Sequence, residues 1–87
     1  MNQSLRKWER FYTDAEGQNI EGELVDYLAI DVVNKEYVLY QNAFDAITDG
    51  EDEFGNEIYS TYVSREIFDI ILQGVKSNGY KQVEIED

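Results

Sequence analysis

The stretch IEGELVDYLAIDVVNKEYVLY (residues 20–40) holds the strongest fold signal in this chain. Apolar side chains occupy alternate positions over residues 20–33, which is the period of a β-strand. Leu28 and Ile30 would face one side of that strand, and Tyr27 and Ala29 the other. A strand that is apolar on both faces is typical of the centre of a sheet. We therefore predict a central strand over residues 20–33 whose second half is covered on each side.

A hairpin is predicted directly after this strand. Asn34 and Lys35 separate it from a second β-rich run, residues 36–40. Two residues are the length of a tight hairpin connection, and asparagine tolerates the positive φ that such turns require. The two strands are therefore expected to pair as antiparallel neighbours.

The beginning of the chain fits two local structures. Residues 7–13 alternate aromatic and charged side chains and precede the turn-like segment 14–19, which predicts a strand followed by a turn. Leu5 and Trp8 also have the spacing of a short helix that would follow Ser4. The turn that follows favours the strand.

The last third of the chain predicts a strand, a helix and a strand. Residues 58–63 are β-branched and aromatic, which favours a strand. Ser64 suits a helix N-cap, and Gly79 suits the left-handed residue that ends a helix. We predict the helix over residues 65–78 and a final strand over residues 80–85. The apolar stripe of the predicted helix comprises Ile67, Phe68, Ile71, Leu72 and Val75.

These elements predict an α+β fold with an antiparallel sheet of about four to five strands. One C-terminal α-helix would pack on a face of the sheet, and a last strand would follow it. Gly74 lies inside the predicted helix, and we expect the helix to pack closely there. Residues 41–49 fit either a helical turn or a short strand. Hydrophobic residues make up 43% of the chain, which is enough for a core, so we predict one acidic domain over residues 1–87.

The net charge of −12 comes entirely from the middle of the chain. Thirteen carboxylates lie between Phe11 and Ser64, and Lys35 is the single cation among them. The two ends carry equal numbers of positive and negative side chains. A field of one sign attracts partners of the opposite sign and repels nucleic acid and anionic lipid. The expected partner is therefore a basic protein, with no direct binding of nucleic acid or membranes.

Several classes of function find no support in the composition. The chain has no cysteine and no histidine, so the usual catalytic nucleophiles and bases are missing, and we predict that it is not an enzyme. No EF-hand register fits the loop of residues 49–57, because Phe54 falls where glycine or an acidic ligand is needed. An irregular cation site in that loop stays open as an alternative. We predict no cofactor, no metal site and, without an apolar segment of spanning or signal type, a cytoplasmic location.

The acidic middle suggests imitation of nucleic acid. Glu21 and Glu23 on one strand face would place their charges roughly 6.5–7 Å apart, and residues 49–57 add five carboxylates. Duplex DNA presents one negative charge per roughly 1.7 Å of its axis to basic clefts in its binding proteins. Our predicted partner-binding residues are Glu21, Glu23, Asp26, Asp31, Asp45, Asp49, Glu51, Asp52, Glu53, Glu57 and Tyr59.

A second interpretation gives the charge no role beyond solubility. In that case the protein would be an adaptor or assembly domain that binds through a sheet edge or a tyrosine patch. Tyr37 and Tyr40 are three residues apart, as are Tyr59 and Tyr62, so on a strand one member of each pair would face outward. Exposed tyrosine is common at binding hot spots.

Two groups of proteins resemble this chain. The acidic turn at residues 14–19, the run at 24–29, the run at 34–39 and the acidic loop before Ile58 and Tyr59 resemble a family of short, acidic, β-rich proteins of unknown function from Gram-positive bacteria. The overall profile is similar to small phage-encoded inhibitors of the anti-CRISPR, anti-restriction and DNA-glycosylase-inhibitor types. That resemblance implies an inhibitor that occupies the nucleic-acid-binding groove of a host enzyme. It implies no particular functional residue.

Overall fold

The computed structural model describes residues 8–15, 24–44, 48, 50, 55, 57 and 59–84. Its elements, in chain order, are β1 (Trp8–Asp14), β2 (Leu24–Asp31), β3 (Glu36–Phe44), β4 (Thr61–Tyr62), α1 (Arg65–Ser77) and β5 (Lys81–Gln82). The strands form one sheet in the order β4-β1-β2-β3-β5. The predicted α+β class is confirmed, and so is the order in which a helix is followed by a strand.

The sheet is mixed, so the prediction of an antiparallel sheet is wrong. Strand β2 pairs antiparallel with both β1 and β3, but the edge strands β4 and β5 pair parallel with β1 and β3. Parallel neighbours need a crossover connection of a dozen or more residues. The chain reaches β4 from β1 by way of β2 and β3, and the connection from β3 to β5 includes the 13-residue helix α1, which crosses from β4 at one edge of the sheet to β5 at the other.

Strand β2 is the centre of the sheet, as its two apolar faces predicted. Leu28 lies between Phe11 of β1 and Leu39 of β3. Its side chain and that of Ala29 have no exposed surface, although they point to opposite faces. The cluster on the helix side contains the buried residues Leu28, Ile30, Tyr37, Phe68 and Val75. The cluster on the second face contains the buried residues Tyr27, Ala29 and Val38.

Helix α1 begins and ends where its sequence signals predicted, to within one residue. Ser64 is the N-cap, and its Oγ accepts a hydrogen bond from the backbone N–H of Ile67 at 3.2 Å. Gly79 has φ of 79°, and the N–H groups of Gly79 and Tyr80 bond back to carbonyls of the last turn. This pair of backbone hydrogen bonds is the usual end of a helix at a residue with left-handed backbone conformation. The helix therefore stops at Ser77, one residue before the predicted end.

The hairpin between β2 and β3 is wider than predicted. Asp31 pairs with Glu36, so four residues rather than two form the turn. Val32 and Val33, which we expected to continue the strand, are 52% and 82% exposed in that turn. The positive φ, of 56°, belongs to Lys35 and not to the asparagine before it.

The two edge strands are shorter than their sequence patterns predicted. Strands β4 and β5 each contain two residues, where we expected strands over residues 58–63 and 80–85. Val83, just after β5, packs against the cluster on the second face, and residues 85–87 lie outside the described part. Short edge strands limit the open backbone that another chain could pair with.

Two further expectations have definite outcomes. Residues 41–44 continue β3, so the ambiguous segment begins as strand, and residues 45–47 and 49 lie outside the described part. Gly74 is exposed, and a Cβ atom built on it would meet nothing within 4 Å. The expected close packing at Gly74 is therefore wrong, since none of the described residues packs against this position.

Candidate functional site

Most of the predicted partner-binding carboxylates lie outside the described residues. These are Glu21, Glu23, Asp45, Asp49, Glu51, Asp52 and Glu53. The structure describes the other four predicted residues, which divide into two kinds. Asp26 and Asp31 are buried, whereas Glu57 and Tyr59 are exposed.

Asp26 holds a β-bulge and the helix together. The pairing of β2 with β3 shifts register beside this residue, and Asn42 of the bulge has φ of 56°. The Asp26 Oδ1 atom accepts the backbone N–H of Asn42 at 3.1 Å. Its Oδ2 atom lies 2.9 Å from Arg65 Nη2, and its side chain is 8% exposed. The carboxylate therefore serves the interior of the fold.

Asp31 organises the turn between β2 and β3. Asp31 is completely buried. The Oδ1 atom accepts the backbone N–H of Asn34 at 3.1 Å, and the Oδ2 atom accepts the Asn34 side-chain amide at 2.8 Å. This local bonding of an aspartate to a backbone N–H downstream is a common turn device. Asp31 therefore offers no surface for a partner to touch, and Asp26 offers very little.

Glu57 and Tyr59 form an exposed pair just before β4. The tyrosine is 77% exposed, and its hydroxyl donates a hydrogen bond to the Glu57 carboxylate. This hydrogen bond, followed by a smaller desolvation effect, raises the pKa of Tyr59. The pair presents an aromatic ring and an anion side by side.

A second pair of this kind was absent from our predicted site. The Tyr62 hydroxyl donates to Asp14 Oδ2 at 3.0 Å, across the parallel pairing of β4 with β1. Tyr62 is 52% exposed, and Asp14 is exposed. The hydrogen bond to Asp14, and then the charge of Asp14, raise the pKa of Tyr62. The tyrosine spacing pointed to one outward ring near residue 60, but nothing in the sequence pointed to Asp14.

We call Asp14, Glu57, Tyr59 and Tyr62 the tyrosine–carboxylate edge, because they lie in, before or beside the edge strand β4. Tyrosine rings attract cations through their negative faces, and carboxylates attract them by charge. The edge is therefore suited to bind a cationic group, and a guanidinium above all, since it stacks on rings and pairs with carboxylates.

Behind this edge, tyrosines form a row across four strands on the second face of the sheet. Tyr62 is paired with Tyr12, Tyr12 with Tyr27, and Tyr27 with Tyr40. The rings of Tyr12 and Tyr62 meet edge to face at 5.4 Å between centroids, and those of Tyr27 and Tyr40 stack at 6.2 Å. Arg10 donates to the Tyr27 hydroxyl at 2.6 Å. The outermost ring is thus supported by a packed aromatic layer.

On the helix side, a pocket of about 230 Å³ lies between the bulge and α1. Asp26, Asn42, Arg65 and Asp69 are among its lining residues. Arg65 is 2.9 Å from Asp26 and 3.6 Å from Asp69, and its guanidinium lies 5.5 Å from the centroid of the Phe68 ring. The charged groups of this pocket pair with one another, so we assign it a structural role.

Comparison with known proteins identifies no relative of this chain. No family model, no curated protein and no solved structure matches this chain. Within the described residues, no helix has the length and apolar character to cross a membrane. The same residues contain no cluster of three or more potential metal ligands.

Proposed function

We propose that this protein is a non-enzymatic, acidic interaction domain that occupies the basic nucleic-acid-binding groove of an enzyme and so excludes the nucleic acid. It would act as a DNA mimic of the anti-CRISPR or anti-restriction type, in the cytoplasm of the cell that contains the target enzyme. The supporting observation is the tyrosine–carboxylate edge of a chain with a net charge of −12.

The negative charge of the central segment is the first feature that supports the proposal. The central segment carries almost no cation of its own, so its field extends toward solvent with one sign. Such a field raises the rate at which a basic partner associates, and it rejects acidic partners. Because Asp26 and Asp31 are buried, the anions offered to the partner are the exposed ones. In this proposal they are the exposed Glu57 and, from the sequence prediction, the carboxylates at residues 49–53, which lie outside the described residues apart from Gly50 between them.

The exposed rings of Tyr59 and Tyr62 are the second feature that supports the proposal. A surface that serves only solubility has no need of Tyr59 and Tyr62, which are 77% and 52% exposed. Both hydroxyls are bonded to carboxylates, which fixes the rings relative to the charge. Aromatic side chains enriched near the centre of an interface supply contact area that carboxylates lack.

The test is capture of partners from a lysate on the immobilised protein, followed by elution with duplex DNA. The proposal expects the captured protein to bind nucleic acid, to be displaced by the duplex and to be lost at about 1 M salt, where screening is nearly complete. A partner that remains bound in both conditions would contradict the proposal.

Charge reversal provides the matched control. Asp49→Lys, Glu51→Lys and Glu53→Lys together should weaken binding strongly, because they reverse the proposed contact charge. The same reversal at Glu84, Glu86 and Asp87, outside the acidic middle, should weaken it much less. Equal losses in the two triple variants would show that only total charge matters.

The exposure of Tyr59 and Tyr62 also favours a second function, that of an adaptor that binds through the tyrosine patch while its acidity serves solubility. In that case the triple reversal in the loop would leave binding intact. Substitution of either tyrosine by serine would abolish it, and duplex DNA would not compete.

A further inference from the structure

We propose that the pair formed by Tyr62 and Asp14 is an arginine-recognition site, at which the guanidinium of a partner's arginine stacks on the ring and bonds to the carboxylate. This inference rests on the proposed function, because the arginine belongs to the basic partner. It goes further in one respect. It requires arginine rather than positive charge in general, at a named position on the edge of the sheet.

The ring of Tyr62 is held ready for such a contact. It is 52% exposed, so one part of it faces solvent at the sheet edge. Its other side meets Tyr12 edge to face, with an interplanar angle of 72°, and its hydroxyl is bonded to Asp14 at 3.0 Å. A ring held from both ends loses little conformational freedom when a partner binds, which favours affinity.

Asp14 retains the capacity to accept more hydrogen bonds. A carboxylate offers about four lone-pair sites, of which the Tyr62 hydroxyl uses one. The backbone of Asp14 is fixed by pairing with Val25 and by Arg65, which donates to the Asp14 carbonyl. An exposed carboxylate on a rigid strand beside an aromatic ring matches the planar, multiply donating guanidinium.

The protein already contains one arginine bound in this manner. The Arg65 guanidinium lies over the Phe68 ring at 5.5 Å, with the Asp26 carboxylate 2.9 Å away. The same combination of ring and carboxylate recurs at Tyr62 and Asp14, on the outside of the sheet. There the net charge of −12 attracts a cation supplied by another molecule.

Lysine should be the poorer ligand. Its ammonium is a strongly hydrated point charge, whereas the guanidinium is weakly hydrated and lies flat on a ring. The expected preference is about fivefold in Kd, the equivalent of about 1 kcal/mol for an exposed cation–π contact.

The test measures binding of two synthetic peptides by calorimetry at low ionic strength. One alternates Arg with Gly, and the other has Lys in place of every Arg, so length and charge are equal. The native chain should bind the Arg peptide about fivefold more tightly. In a Tyr59→Leu background, which lacks the other exposed ring of the tyrosine–carboxylate edge, Tyr62→Leu should remove this preference, and Tyr62→Phe, which keeps the ring, should retain most of it.

Control variants come from the rest of the described surface. Phe44→Leu removes a ring that is 72% exposed at the end of β3, and it should leave the preference unchanged. Asp14→Asn should weaken the Arg peptide more than Glu84→Gln does, because Glu84 follows β5 at the opposite edge of the sheet. Circular dichroism of each variant checks that it is folded.

The outcomes separate this inference from the function it rests on. Equal affinity for the two peptides, or a preference that survives Tyr62→Leu in the Tyr59→Leu background, overturns the arginine site and leaves the acidic inhibitor standing. Failure of both peptides to bind at low salt overturns the proposed function itself. A preference for Arg that disappears with Tyr62→Leu and persists with Phe44→Leu supports the site.

Discussion

Arg65 Nη2 lies 2.9 Å from Asp26 Oδ2, and this pair joins helix α1 to the central strand of the sheet. The chain has seven cations against nineteen acidic residues, so cations are scarce. Asp26 is 5% exposed and receives one of these scarce cations, together with the backbone N–H of Asn42. A buried carboxylate needs both, because burial of an unpaired charge is strongly unfavourable.

Replacement of Arg65 by methionine should therefore destabilise the fold severely. Arg65→Met keeps an apolar stem against Phe68 but leaves the Asp26 carboxylate buried without its cation. Removal of one member of a fully buried pair costs about 3–5 kcal/mol, and the lower end of that range is expected here because the Arg65 side chain is 30% exposed. The free energy of unfolding from urea titration should fall by about that amount. Lys76→Met, in the last turn of the same helix, should lose under about 1 kcal/mol, and equal losses would show that Asp26 does not depend on Arg65.

Asp31 should contribute to stability and leave partner binding unchanged. Asp31→Ala leaves the backbone N–H and the side-chain amide of Asn34 without their acceptor, and such a loss costs about 1–3 kcal/mol. Chemical denaturation measures that loss, and binding is measured where the variant is still folded. Weaker partner binding by folded Asp31→Ala would show that this carboxylate reaches the interface despite its burial.

Gly74 offers a stabilising substitution. It lies inside α1, where a Cβ atom would meet nothing within 4 Å. Alanine has a helix propensity about 1 kcal/mol more favourable than glycine. Gly74→Ala should therefore raise the free energy of unfolding by about that amount, as measured by urea titration. A loss of stability would indicate a contact at this position that the described residues do not make.

The tyrosine–carboxylate edge predicts how stability changes at alkaline pH. The pKa of Tyr59 and that of Tyr62 are raised above 10.0 by the hydrogen bonds to Glu57 and Asp14. Raised phenol pKa values favour the folded state fully below about pH 10, and this contribution is lost as pH rises through the higher folded values. Absorbance titration of tyrosinate should show late-ionising phenols in the native chain. Asp14→Asn should shift one of them to lower pH, and an unchanged curve would contradict the pairing.

Salt should stabilise this protein. The carboxylates of the central segment repel one another, and raising the salt concentration from about 0.01 to about 0.15 M shortens the screening length from about 30 to about 8 Å. The melting temperature should rise over that range. Asp49→Lys, Glu51→Lys and Glu53→Lys together should flatten the rise, because they remove part of the repulsion. A melting temperature that falls with added salt would mean that ion pairs such as Arg65 with Asp26 dominate.

Local signals in the sequence predicted the fold where neighbouring residues decide the structure. The alternation around Leu28 predicted the central strand, and Ser64 and Gly79 predicted both ends of the helix. The hairpin was predicted in position but not in length. The side chain of Asp31 turns the chain two residues earlier than the apolar pattern indicated.

Burial of the individual carboxylates could not be predicted. Nothing in the sequence around Asp26 distinguishes it from an exposed carboxylate such as Glu57. Asp26 is nevertheless buried, and its carboxylate is paired with Arg65, which is 39 residues away in the chain. The pair of Tyr62 with Asp14 joins residues 48 apart, through the parallel pairing of edge strand β4 with β1. Residue spacing along the chain predicts neither the contact of Arg65 with Asp26 nor that of Tyr62 with Asp14.

By itself, therefore, the sequence determined the central strand, the capped helix, the α+β class and the concentration of negative charge in the middle of the chain. Each of these depends on composition or on residues within a few positions of one another. Only the tertiary structure decided the mixed pairing of the sheet, the division of aspartates into buried and exposed, and the place of Tyr62 beside Asp14. Those features arise when distant segments pack, because burial and pairing are decided by neighbours in space.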